Sequence, residues 1–158
     1  MFGDWLADTR AAIRSERDAD VPCGECTACC TASQFIHVAP DEHDALHVIP
    51  PQVLFPAPGF PPGHMLMGYD DQGRCPMFKD NRCSIYEHRP RTCRTFDCRV
   101  FAATDVVPED PAIAARVTQW RFEHATPQDE QLHQDIRRRA AADNDPNPTK
   151  RAVRAVAD

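Results

Sequence analysis

Apolar residues recur at helical spacing near the two ends of this chain, and between the ends they fall in short runs broken by proline. Trp5, Leu6, Ala12 and Ile13 share one face of a helix predicted over residues 4–17, a face that Thr9 interrupts. Phe35, Ile36 and Val38 predict a short strand. Asp41, after Pro40, reads as the N-cap of a short helix reaching about His47. Residues 49–63 contain six prolines and read as loop, because proline fixes φ and removes a backbone donor. Met65, Leu66, Met67 and Tyr69, the turn Asp70-Asp71-Gln72-Gly73 and the run from Arg74 to Phe78 together predict a hairpin. The polar turn Lys79 to Arg82 leads to Cys83, and Ser84 caps a short helix that Pro90 ends.

The last third changes character. Asp110-Pro111 is a cap followed by proline at the first helical position, and Ile113, Val117 and Trp120 mark its apolar face. Thr126-Pro127 opens another helix, with Leu132 and Ile136 inward and Arg137, Arg138 and Arg139 near its C-terminal end. Residues 143–149 read as linker, and Lys150 to Ala157 as a short or frayed helix. The pattern divides the chain into an N-terminal helix (1–20), a central domain (21–105), C-terminal helices (106–142) and a linker with a short tail (143–158). The expected class is α+β: a small, irregular, metal-stabilised domain with a short hairpin and flanking helices.

Composition supports that irregular centre. The chain has 158 residues and 15 prolines, so short elements need cross-linking from metal or disulfides. No secretory leader pattern and no membrane-length apolar run occurs, which points to the cytoplasm and to reduced thiols. A secreted disulfide scaffold is the alternative. The net charge of −6 is uneven. Asp18 to Gly73 contains eight acids and no Lys or Arg, whereas Arg74 to Arg99 contains seven bases against three acids. That basic stretch is too short, in an acidic protein, to indicate a nucleic-acid partner, and no membrane partner is expected.

The candidate chemistry lies in eight cysteines. Cys23, Cys26, Cys29 and Cys30 follow C-x2-C-x2-C-C; Cys75, Cys83, Cys93 and Cys98 follow C-x7-C-x9-C-x4-C. Two groups of four suit tetrahedral zinc or an iron–sulfur cluster, both of which take four thiolates. The C-x2-C-x2-C loop, with Cys75-Pro76 as a remote ligand, leans toward iron–sulfur. Adjacent Cys29 and Cys30 diverge, so they serve different ions, or one is a spare or redox-active thiol. Arg89, Arg94 and Arg99 lie among the later cysteines and can donate to sulfur, offsetting thiolate charge. His43-Asp44-Ala45-Leu46-His47 has the shape of H-D-x-x-H, but the aspartate is a methylene short of the usual base and the pair reads as solvated. His88 reads as a surface residue or a hydrogen-bond donor to sulfur, with ligation the alternative; Tyr86 packs near the cluster, and Phe96 and Phe101 form an apolar shell.

Cys23-x2-Cys26-x2-Cys29-Cys30, followed by Cys83-x2-Tyr86-x2-Arg89-Pro90-x2-Cys93-Arg94-x3-Cys98, resembles the CxxCxxCC cysteine-cluster (YkgJ-like) proteins over roughly residues 20–100. The resemblance implies a bacterial domain that chelates zinc or iron. Flagellin lysine N-methylases carry a similar domain, but this chain shows no separate substrate domain, and that activity is not carried over. The expected function is a metal-binding protein holding zinc or an iron–sulfur cluster through two cysteine quartets. The alternative is a redox or methyl-transfer enzyme, or an electron carrier, built on an iron–sulfur cluster.

Overall fold

The computed structural model describes all residues, 1–158. In chain order the elements are α1 (Phe2–Ile13), β1 (Ile36–Val38), α2 (His43–Val48), β2 (Leu54–Pro56), β3 (Met65–Met67), β4 (Phe78–Lys79), β5 (Arg82–Cys83), α3 (Arg91–Thr95), α4 (Arg99–Thr104), α5 (Pro111–Val117), α6 (Pro127–Ala142) and α7 (Pro148–Ala157). Turns of 3₁₀ helix lie at Ala28–Thr31, Pro51–Val53 and Tyr86–His88. Seven helices with two small antiparallel sheets make the fold α+β, as expected. The chain divides into two compact units: a helical unit, Met1–Cys23 with Thr95–Asp158, and a sheet unit, Gly24–Arg94.

In the helical unit, α1 buries Phe2, Trp5, Leu6, Thr9 and Ala12, an i, i+3, i+4, i+7 face. It begins earlier than the apolar pattern suggested because Phe2 is fully enclosed, and Ser15 turns the chain out through a left-handed φ of 59°. Thr9 does not spoil the face, since its hydroxyl reaches Asp97 Oδ2 at 3.5 Å. Asp110 caps α5 by accepting from the N–H groups of Ala112 and Ile113. That helix ends at Val117, so Trp120 sits in the following turn rather than on the expected helical face. Thr126 caps α6, which buries His133, Ile136 and Ala140 and leaves Leu132 half-buried. The terminal segment is a firm helix, α7: Asn147 caps it, Arg154 pairs with Asp143 and Asp145, and Ala152 and Val156 are fully buried.

His133 stacks on Phe2 at 4.2 Å between centroids, and its Nδ1 lies 2.8 Å from His124 Nε2. Burial, with help from Arg137 and His124, pushes its pKa down to about 4. The folded state therefore keeps this ring neutral at pH values where the unfolded chain binds a proton. Stability of the helical unit is expected to be flat above pH 6.5 and to fall as the pH drops from about 6.5 to about 4, by up to about 3 kcal/mol. His133→Phe should remove most of that slope in urea titrations run across this window.

In the sheet unit, β3 is the central strand of the order β1-β3-β2, with Ile36 and Leu54 both opposite Met67. Two expectations are corrected here. The proline-rich segment does contribute a strand, β2; it is an edge strand, where Pro56 costs no ladder bond. And β3 does not pair with residues 74–78. The turn itself forms, with Asp70 Oδ1 accepting from Gln72 and Arg74 N–H at 2.9 and 2.8 Å. Beyond it, however, Gly73 C=O accepts from Ser33 N–H and Cys75 N–H donates to Cys30 C=O, so that backbone is committed to the cysteine loop. The hairpin of this region is instead β4–β5, closed by Asp80 and Asn81 at φ of 50° and 59°. Val38, Ala45, Ile49, Met67 and Met77 form the core, with Cys75 and Ile85 packed against it.

Candidate metal centre

Three segments of the sheet unit carry cysteines toward one another. The first is the 3₁₀ turn Ala28–Thr31, where Cys30 is half-buried and Cys29 exposed. Cys30 C=O accepts from Cys75 N–H at 2.8 Å, and Ser33 N–H donates to Gly73 C=O at 2.9 Å, so residues 30–33 and 73–75 run side by side in opposite directions. Gly73 is required in this arrangement: its φ is +75°, and a Cβ there would meet Ser33 Oγ at 2.3 Å.

The second segment is the β4–β5 hairpin. Phe78 N–H donates to Cys75 C=O, Phe78 stands opposite Cys83, and Ser84 donates through both N–H and hydroxyl to Met77 C=O at 2.8 Å. The backbone N–H groups of Met77 and Phe78 favour the Cys75 thiolate. These donors are the kind that stabilise a thiolate.

The third is α3, which carries Cys93. Its start is held by Glu42, a buried carboxylate whose Oε2 accepts from Ala39 N–H at 2.7 Å and whose Oε1 accepts from Arg91 N–H at 2.5 Å. Thr92 Oγ1 donates to His37 C=O at 2.8 Å, and Arg91 pairs with Asp41 at 2.8 Å. Glu42→Gln weakens two charge-assisted bonds at once. It is expected to cost roughly 1–3 kcal/mol, read as faster hydrogen exchange of the amides of α3 and β1.

Burial and neighbouring sulfurs together set the electrostatics of two of these thiols. Burial pushes the Cys93 thiol up to about 12, and the sulfurs of Cys75, Cys30 and Cys83 add to the rise, while Arg89 opposes it. Burial also raises the Cys75 thiol; the Met77 N–H opposes that rise, Cys83 adds to it and the Phe78 N–H opposes it again. Backbone bonds tie together the segments that carry Cys30, Cys75 and Cys83, although no three Cys, His, Asp or Glu side chains close on a point as they would around an ion. The donor set fits a thiophilic cation. Sulfur ligands select zinc or iron over magnesium or calcium, and such a cation would offset the mutual repulsion of the thiolates.

The remaining candidates are placed as follows. Cys26 is half-buried in the sheet unit. Cys23 and Cys98 belong to the helical unit. There Arg116 donates to the carbonyls of Pro22 and Cys23 at 3.0 and 3.4 Å, and Trp120 Nε1–H donates to the sulfur of the buried Cys98 at 3.4 Å. Arg89 lies over the exposed ring of Tyr86 at 3.7 Å and donates to Tyr86 C=O, and Arg94 Nε donates to Arg89 C=O at 3.1 Å. Tyr86 is therefore a surface platform for Arg89 rather than a packed side chain. The Arg99 guanidinium pairs with Asp97 and donates to the Asp20 carbonyl. His43, His47 and His88 are exposed. Sequence reasoning missed Glu42 and Asp97; a buried carboxylate leaves no mark in a single sequence, where each reads as one more surface acid.

The CxxCxxCC family profile, described as a "putative zinc- or iron-chelating domain", matches residues 22–124. The chain belongs to the CxxCxxCC family. That match takes in all eight cysteines, the whole hairpin and α3 to α5 of this CxxCxxCC domain. No curated protein and no solved structure shows significant similarity to the chain. No helix of this CxxCxxCC protein is long and apolar enough to cross a membrane.

Proposed function

We propose that this protein chelates zinc or iron through cysteine thiolates of its sheet unit, and that the bound metal is a structural part of that unit. The observation that supports this most is the backbone bonding that sets Cys30 beside Cys75 and folds Cys83 back against Phe78, whose N–H is bonded to Cys75 C=O. Cysteines carried on segments tied together inside a unit with a small core are a poor way to fill space with apolar groups, and a suitable way to hold a soft cation. Arg89, beside Cys93, and Arg94, bonded to the Arg89 carbonyl, supply positive charge at the rim of this set. When bound, the metal supplies cross-linking of three chain segments. The residues would supply the thiolate ligands whose negative charge offsets that of the cation, and N–H groups that favour the Cys75 thiolate. A reducing compartment such as the cytoplasm suits this chemistry, since it keeps the thiols available.

The test is the metal and acid-labile sulfide content of the full chain purified anaerobically. Zinc or iron at whole-number stoichiometry is expected. Sulfide in step with iron assigns a cluster, and metal without sulfide assigns a mononuclear site. Protein that carries neither metal and takes up neither on anaerobic reconstitution would sink the reading.

A further inference from the structure

We propose that Cys30, Cys75, Cys83 and Cys93 are the four ligands of one zinc or iron site, and that Cys29 takes no part in it. This rests on the chelating function above and names its ligands.

Chain order suggests another grouping, with Cys23, Cys26, Cys29 and Cys30 on one ion and the later four on another. Local geometry opposes that. Cys29 and Cys30 lie within a 3₁₀ turn, where successive side chains are separated by about 120° around the axis. Two adjacent residues so placed cannot both face one ion without unwinding the turn. The structure picks between them. Cys30 is half-buried, and its carbonyl is bonded to the backbone of Cys75, while Cys29 is exposed.

Each of the other three ligands is fixed within the sheet unit by a separate device. Pairing of residues 30–33 with 73–75 fixes Cys75 beside it, and the Gly73 turn makes that pairing possible. The two-residue turn at Asp80-Asn81 folds Cys83 back against Phe78, whose N–H is bonded to Cys75 C=O. This explains the C-x7-C spacing: the intervening residues are the strands and turn of one hairpin. Cys93 arrives on α3, whose first residues are held by Glu42 and the His37 carbonyl. Every one of these ties lies within the sheet unit, so the four ligands share one folded body.

The test uses the full chain, stripped of metal anaerobically and titrated with cobalt(II), whose thiolate charge-transfer band reports sulfur ligands directly. Cys30→His and Cys93→His should still bind cobalt, each losing about one quarter of one site's charge-transfer intensity and shifting its d–d bands, as expected when one of four sulfurs becomes nitrogen. The double variant should lose about half of the same site's intensity, with no change at any other. Cys29→His should leave this site's band and cobalt affinity within about twofold of the parent. Retention of bound cobalt in the histidine variants distinguishes ligand exchange from unfolding. The assignment is overturned if Cys29→His shifts the site that Cys93→His shifts, or if Cys30→His and Cys93→His perturb two separately titrating sites. A parent chain with no thiolate–cobalt band at all would instead overturn the chelating function, and the assignment with it.

Discussion

Stripping the metal is expected to unfold the sheet unit while the helical unit keeps its structure. The reason lies in how each is built. The sheet unit has a core of five buried residues, Val38, Ala45, Ile49, Met67 and Met77, and strands of two or three residues. A domain of this kind needs a staple, and a structural zinc site can supply apparent free energies of about 10–16 kcal/mol in the smallest zinc domains. The helical unit has a larger apolar interior, including Phe2, Leu6, Val100, Phe101, Ile113, Ile136 and Val156, and helices with side-chain caps at Asp110, Thr126 and Asn147. Hydrogen exchange of the loaded and chelator-treated chain separates the two. Amides of β1, β3, β4 and β5 should lose protection on metal removal, while those of α1, α6 and α7 should change little. Equal protection before and after removal would mean that the core alone holds the sheet unit.

The second large effect is expected at Asp97. Replacing it with alanine should destabilise the helical unit by roughly 3–5 kcal/mol. Its side chain is 1% exposed, and it accepts from Trp5 Nε1–H at 2.8 Å, from Thr9 Oγ1–H at 3.5 Å, and from Arg99 through backbone and guanidinium. Removing the carboxylate leaves the Arg99 guanidinium, only 19% exposed, without its counter-ion and the Trp5 indole without an acceptor. Asp97→Asn keeps much of the shape and some of the bonds, and should cost clearly less than alanine. Urea unfolding followed by tryptophan fluorescence measures this cleanly, because Trp5 and Trp120 both belong to the helical unit. A loss below about 1 kcal/mol would show the pair to be as dispensable as an exposed one.

These two expectations rest on different parts of the sequence, and those parts were legible to different degrees. The C-terminal helices were readable because their signals are local: Asp110-Pro111 and Thr126-Pro127 are caps whatever surrounds them, and the structure shows both bonds formed. The α+β class and the membership in a cysteine-cluster family were also legible, the second because eight cysteines at these spacings form a specific pattern. The helices α3 and α4 were not. At five and six residues they are too short to show a period, and α3 is fixed from outside by Glu42, far away in sequence. The hairpin over residues 65–78 was misread for a similar reason. Its turn is local and forms, but where the following backbone pairs depends on Ser33 and Cys30, some forty residues upstream.

The cysteines show the same division between local and distant information. Their number and residue type were plain, and the divergence of Cys29 from Cys30 could be stated from adjacency alone. Which neighbour is the more buried could not, because the Cys30 backbone is held by Cys75 N–H, a residue far along the chain. Grouping by chain order puts Cys30 with Cys29; the backbone puts it beside Cys75.

The most direct test of metal chelation by thiolates is X-ray absorption at the metal edge of the anaerobically purified protein. A shell of sulfur alone is expected, four per ion, at about 2.3 Å if the ion is zinc. A shell containing oxygen or nitrogen as the majority ligand would contradict the account.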